Sequence, residues 1–301
     1  MVKGLEKVKD IIIYMLYRLL EIVVNLVPEP LAYFIGKRFG DLVYILLKTR
    51  RQIAIKNLKL ALEVDDVEAD QLTKANFRHL GMVLIEFLRL SQLTEENVDE
   101  VIEIEGIEHL KEAQQQKEGF VLFTGHFGNW ELLGAALALK GFSINALARD
   151  QGIELINDHI LRTREEKGID IFSNKGMVVK KAYRVLQQGE GLFMLGDQKS
   201  RHSDHYTEFF GLKARVELGP VALAARTNST IIPVYIARQE IGKHKIFIRE
   251  PVKVKRNITE EETNKKIREL TATLEDIIRE YPTQWLWAHN RWKYSPDLRN
   301  N

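Results

Sequence analysis

From Val101 onward, short apolar runs alternate with helical patterns, and this alternation limits the possible folds more than any other feature of the chain. Strand candidates fall at 101–104, 120–124, 143–148, 191–195, 231–237 and 245–248. Helical patterns separate them over 129–139, 153–167, 177–187 and 218–227, and an amphipathic helix over 258–280 ends the series. Strands joined through helices build a mostly parallel sheet, because each crossover must return the chain to the starting edge. An α/β fold, its sheet flanked by helices, is therefore expected for 94–301.

Residues 1–93 read as helix throughout. Over 67–91 the apolar residues Leu72, Phe77, Leu80, Met82, Val83, Phe87 and Leu88 recur at spacings of three and four. The polar stretch 93–99 connects them to the strands, so the chain divides into a helical region, 1–93, and an α/β domain, 94–301. Residues 10–27 are apolar, yet shorter and more polar than the roughly 20 apolar residues a membrane span needs. Arg18, Glu21 and Asn25 share one helical face, leaving a wide apolar stripe suited to a helix lying in a membrane interface. A tilted span with Lys3, Lys7 and Lys9 toward the cytoplasm ranks second, and a helix packed in a soluble core third. No small-residue cleavage site of a signal peptide follows. Beyond Pro28 and Pro30, Lys37, Arg38, Lys48, Arg50, Arg51, Lys56 and Lys59 are interleaved with apolar residues, a pattern that fits anionic lipid headgroups.

Composition narrows the function classes. The chain has 301 residues and no cysteine, which removes both a disulfide framework and a thiol nucleophile. A net charge of +2 gives no footprint for nucleic acid. Gly189, Gly191 and Gly196 break the dinucleotide-binding spacing, and no Gly-x-Ser-x-Gly elbow is present. His202-Ser203-Asp204-His205 lacks a second cluster to complete a metal site, and no cofactor is called for.

The chemistry concentrates after the apolar run 120–123, in Thr124-Gly125-His126-Phe127-Gly128-Asn129-Trp130-Glu131. Asn129 is a good helix N-cap, and Glu131 would lie in the first turn, where the helix dipole favours a carboxylate. A histidine held by a carboxylate can act as general base toward a hydroxyl. Two partners are open for His126: Glu131, across the loop-to-helix junction, and Asp197, at the end of the strand 191–195. Active sites in open α/β sheets gather at the carboxyl ends of strands, where Arg149 and Gln198 also fall.

His126-Phe127-Gly128-Asn129-Trp130-Glu131 resembles the signature of the bacterial lysophospholipid acyltransferases of lipid A biosynthesis, the lauroyl and myristoyl transferases, and of their relatives that acylate phosphatidylinositol mannosides. Further matches follow in the same order. Leu195-Gly196-Asp197-Gln198 resembles the second acidic motif, Phe209-Phe210-Gly211 the aromatic-glycine segment, and Gly219-Pro220 with Ala222-Leu223-Ala224 the small-residue helix. The segment 281–287 with His289, Arg291, Trp292 and Lys293 resembles the C-terminal signature.

The resemblance implies a glycerol-phosphate acyltransferase-like fold and an O-acyltransferase at the cytoplasmic membrane, its catalytic domain facing the cytoplasm. The acyl donor would be acyl carrier protein or acyl-coenzyme A, and the acceptor a glycolipid or phospholipid. His126 would be the base, with Glu131 or Asp197 orienting it. Gly128, Asn129, Arg149, Gln198, Phe210 and Gly211 would bind substrate, Arg149 through a phosphate or a developing oxyanion. Lys180, Lys181 and Arg184 offer basic charge to an acidic carrier. The stretch 213–217 departs from the small and hydroxyl residues of the family, which leaves a lipid A precursor and a phosphatidylinositol mannoside both open as acceptors. An acyl hydrolase using the same dyad and a non-catalytic lipid-binding protein are the rival readings.

Overall fold

The computed structural model describes residues 2–148, 152–173, 177–198 and 204–298. Four helices come first: α1 (Val2–Leu26), α2 (Glu29–Leu46), α3 (Lys48–Leu62) and α4 (Asp66–Leu88). The rest alternates. After α5 (Val98–Val101) come β1 (Ile102–Glu105), α6 (Ile107–Gln115), β2 (Phe120–Thr124), α7 (Trp130–Leu139), β3 (Ile144–Ala148), α8 (Glu154–Glu165) and β4 (Ile169–Ser173). Then follow α9 (Val178–Gln187), β5 (Gly191–Leu195), β6 (Tyr206–Phe209), β7 (Leu212–Arg215), α10 (Gly219–Thr227), β8 (Thr230–Glu240), β9 (Lys243–Ile248), β10 (Val252–Lys253) and α11 (Glu260–Glu280).

The main sheet has the order β1-β9-β8-β2-β5-β3-β4, with β10 beside β8. Only the β8–β9 and β8–β10 pairs run antiparallel, so the sheet is mostly parallel, with helices packed on it. Two apolar clusters sandwich it, one under α7 (Leu133, Ala136, Ile144, Phe193) and one under α9 and α10 (Val121, Leu186, Leu192, Ala224). β2 is buried at all five positions because it lies in the middle of this sandwich. That burial explains its unbroken apolar run.

β4 and the β6–β7 hairpin fall outside the strand candidates. β4 carries its apolar residues only at Ile169, Ile171 and Phe172, directly after a helix pattern, so no run separates it from α8. In the hairpin, Phe209 pairs with Leu212, and Phe210 and Gly211 between them have φ of 51° and 73°. Positive φ at both central residues makes a two-residue turn whose twist matches the strands.

Helix α1 is amphipathic in an inverted sense. Its polar stripe faces the protein: Asn25 Nδ2 donates to the Leu88 carbonyl at 2.8 Å, and Glu21 reaches His159 of α8 at 3.1 Å. Its apolar stripe faces out, with Met15 62%, Leu16 60% and Leu19 58% exposed. α2 continues this face through Phe34, Leu42, Ile45 and Leu46, all exposed. Among the described residues no helix is long and apolar enough to cross a membrane.

Candidate active site

β2 and β5 are neighbours in parallel register, with Thr124 opposite Leu195. His126 and Asp197 each lie two residues beyond that last pair, so the sheet itself brings them together. Gly125 permits the approach, since a Cβ there would lie 3.2 Å from the Asp197 side chain. His126 Nδ1 lies 2.7 Å from Asp197 Oδ1, and the His126 backbone N–H donates to Oδ2 at 2.9 Å. The Trp285 indole N–H also donates to Oδ2 at 2.9 Å. Burial alone would raise the Asp197 carboxyl, but the His126 charge and the bonds from His126 and Trp285 outweigh it and hold the pKa down to about 2. An ionised Asp197 selects the tautomer that carries its proton on Nδ1. The other ring nitrogen, Nε2, then accepts from Gln198 Nε2 at 3.1 Å.

The loop behind His126 is clamped from two sides. Gly128 has φ of 58°, and a Cβ there would fall 1.7 Å from the Ile236 carbonyl oxygen, so only glycine lets the loop press on β8. Its N–H donates to the Gln284 carbonyl, the Leu286 N–H donates to the His126 carbonyl, and Phe127 forms a bridge with Trp285. Asn129 caps α7 by accepting from the Leu132 N–H at 3.1 Å, while its Nδ2 donates to Glu86 at 2.9 Å.

Glu131 turns from His126 to Arg164 of α8, which donates to both carboxylate oxygens at 2.8 and 2.6 Å. Of the two carboxylates the sequence left open, Asp197 is thus the one in contact with the imidazole. His126, Trp130, Glu131 and Arg164 nevertheless share a cavity of about 320 Å³, which runs under α7 between Ala146, Ile171 and Phe193. Trp130 stands edge-on to the His126 ring at 5.1 Å.

The remaining expected site residues scatter. Gln198 is at the dyad. Gly128 and Asn129 have their polar groups engaged in the loop and cap, so any influence on substrate passes through the shape of the loop. Phe210 is buried against Trp287 and Phe209, and Gly211 completes the hairpin turn. Arg149 lies outside the described residues, as do His202 and Ser203. Among the described residues no cluster of three or more His, Asp or Glu could hold a metal ion.

Several residues at the site carried no motif signal. Arg164 belongs to a helix with no buried residue, and its pairing with Glu131 is set only by the fold. Trp285 packs in the core and also serves Asp197. Glu86 sits inside the apolar stripe of α4, an anomaly of pattern that could have been noticed. It is 7% exposed and accepts from Tyr33, Asn129 and both Arg238 Nε and NH2, at 2.7–2.9 Å. His244 approaches it at 3.1 Å.

A histidine on a buried aspartate at the ends of parallel strands, beside a cavity whose lining mixes Glu131 and Arg164 with Trp130, Ala146, Ile171 and Phe193, is an arrangement in which an imidazole can take a proton from a bound hydroxyl. Comparison with known proteins agrees: the chain belongs to the bacterial lipid A biosynthesis acyltransferase family, whose profile matches residues 3–294. It is 27% identical over 277 residues to the lipid A biosynthesis palmitoleoyltransferase of Escherichia coli (strain K12), covering 89% of this chain and 87% of that one. The lauroyltransferase of the same organism is 26% identical, with 90% and 88% covered. The phosphatidylinositol mannoside acyltransferase of Mycolicibacterium smegmatis is 24% identical over 170 residues, 55% of this chain and 56% of that one.

Proposed function

We propose that the chain transfers a fatty acyl group from an acyl thioester, on acyl carrier protein or coenzyme A, to a hydroxyl of a glycolipid at the inner face of a bacterial cytoplasmic membrane, on a glycerol-phosphate acyltransferase-like fold. The observation that carries this reading is the Asp197–His126–Gln198 array at the mouth of the cavity. The acceptor hydroxyl replaces the Gln198 amide at His126 Nε2 and gives up its proton there. Its oxygen attacks the thioester carbonyl, the C–S bond breaks, and the departing thiolate takes the proton back from Nε2. Asp197 stabilises the transient imidazolium, and no covalent enzyme intermediate forms.

The lipid A transferases match over nearly their whole length and the mannoside acyltransferase over about half, which favours a lipid A precursor over a phosphatidylinositol mannoside. The inverted amphipathic α1, continued by α2, supports attachment in the membrane interface, with Lys48, Arg50 and Arg51 toward anionic headgroups. Arg149, if it follows the family, holds a phosphate of the acceptor.

The test is incubation of the purified full chain with lauroyl and palmitoyl thioesters of both carriers and a detergent-dispersed lipid A precursor, read by mass spectrometry. A lipid heavier by one acyl group, absent with His126→Ala, is expected. Free fatty acid released equally with and without acceptor, and no acylated lipid, would establish a hydrolase instead. Lipid binding without any turnover would leave a non-catalytic role.

A further inference from the structure

The cavity beside His126 has a built-in depth. His126 follows the carboxyl end of β2, so the carboxyl ends of the strands form the cavity's mouth and their amino ends its floor. The face under α7 is laid in layers by strand register. Ala146 lies beside Ile171 and Phe193, and two residues deeper, about 7 Å lower, Ile144 lies beside Ile169. Ala146 is the small member of its layer, and the space it leaves lets the cavity descend. α7 runs back over these strands. Trp130 stands at the level of the His126 ring, and Gly134 lies one turn lower, about 6 Å along the helix. There the lining is Gly134 on one side and Ile169 on the other.

A Cβ built on Gly134 would meet Ile169 Cδ1 at 3.3 Å, and no other atom within 4 Å. The glycine is therefore not demanded by a backbone crossing above it. Its hydrogen lies where any side chain would bridge the gap from α7 to β4. Glycine inside a helix is otherwise unfavourable, and alanine would serve the helix better. With only a hydrogen there, Gly134 and Ile169 meet at the floor of the cavity, and any side chain on Gly134 would press on Ile169 and raise that floor.

We propose that Gly134, facing Ile169, sets the length of acyl chain this protein accepts. The cavity receives the chain tail-first with the thioester carbonyl at His126, and its terminal carbons stop at the floor that Gly134 of α7 and Ile169 of β4 close. Ala146 governs the layer above in the same way. The inference rests on the acyl-transfer reading and adds the residue that selects among donors.

The experiment compares the full-length wild type with Gly134→Ala, Gly134→Val and Ala146→Val across acyl thioesters from octanoyl to palmitoyl. Two readouts are taken: kcat/KM with a lipid A precursor as acceptor, and binding of the matching non-transferable acyl-coenzyme A thioethers. For Gly134→Val the preferred chain should shorten, with the ratio of kcat/KM for the longest to the shortest accepted donor falling about fourfold for each methylene excluded. Gly134→Ala should shift the same way by less, and it guards against misfolding because alanine suits a helix interior. Ala146→Val should cut the accepted length further, since it acts nearer the mouth. Equal loss on all donors, or an unchanged length preference in both glycine variants, overturns the inference. If the wild type transfers no chain yet its thioether affinity still rises with length and Gly134→Val caps that rise, the catalytic reading fails and the gauge stands.

Discussion

Two buried carboxylates in this molecule hold histidines, and they do it to opposite ends. Asp197 spends its oxygens on His126 and Trp285, and its histidine looks onto a cavity. Glu86 gathers Tyr33, Asn129, Arg238 and His244 at the side of a separate cavity of about 220 Å³, with His79 completing the cluster through Arg238. Burial would raise Glu86 and does lower His79, while the Arg238 guanidinium keeps Glu86 ionised, well below the usual carboxylate range. The ingredients are nearly the same. The two differ in the access of their histidines. His126 borders its cavity, whereas His244 and His79 are buried, and Glu86 is saturated and ties α4 to β8, β9 and the cap of α7.

Substitution should split the two clusters. His126→Ala is expected to lower kcat by about two to four decades, the usual worth of a general base, with the melting temperature nearly unchanged. His244→Ala should do the reverse, lowering stability while the folded protein keeps its turnover. Equal kinetic losses from both would erase the distinction drawn here.

Glu86→Ala is the next largest effect and falls on stability. It strands the Arg238 charge in the core, and breaking a buried pair in this way costs about 3–5 kcal/mol, or roughly 10 °C in a chain of this size. Calorimetry checks the shift. Active-site titration then shows whether the molecules that remain folded still turn over, and loss of turnover in a fully folded Glu86→Ala would place Glu86 in the catalytic apparatus.

Acid sharpens the comparison further. The Asp197 pKa is depressed from an ordinary 3.8 to about 2, so its contribution is fully present above the unfolded value and is lost as pH falls from near 4 toward 2. Linkage sets that contribution at about 2 kcal/mol at neutral pH. The stability gap between wild type and Asp197→Asn, measured by urea unfolding, should therefore narrow as pH drops through this window. A gap that is constant with pH would mean that Asp197 is not held ionised by its neighbours.

The candidate-site half of this contrast was largely legible in the sequence, and the Glu86 half was not. β2 and β5 announce themselves as apolar runs ending in Thr124-Gly125-His126 and Leu195-Gly196-Asp197, because fully buried parallel strands leave little room for polar residues. The choice between Glu131 and Asp197 was not legible, since it depends on which strands are neighbours, and order in a sheet has no local signature. β5 lies beside β2 although two strands intervene in the chain. Glu86 broke the apolar stripe of its helix, but its partners were invisible for the same reason: Tyr33, Arg238 and His244 come from three other elements and obey no spacing. Phe210 and Gly211 were visible, but as letters only. Their positive φ values belong to a hairpin turn that neither periodicity nor composition reveals.

The smallest expected effect concerns the other face of the region that carries Glu86. α4 turns Glu86 inward and α1 turns its apolar residues outward, so in the proposed reading the two helices divide the work of holding the fold and meeting a membrane. Deleting 1–27 would blur that division, because Val24 is fully buried against Ile85 and Leu88. Substitutions on the exposed face leave that packing alone. Leu16→Asp with Leu19→Asp should weaken sedimentation with anionic vesicles while melting temperature and turnover on detergent-dispersed acceptor hold. Reversing Arg50 and Arg51 to glutamate should act more weakly, about 1 kcal/mol for each basic residue near an anionic surface, and the effect should fade in high salt as the charges are screened. If the leucine variants sediment as the wild type does, the membrane face lies elsewhere; if they unfold, the stripe is an interior surface awaiting a protein partner, and the contrast between α1 and α4 disappears.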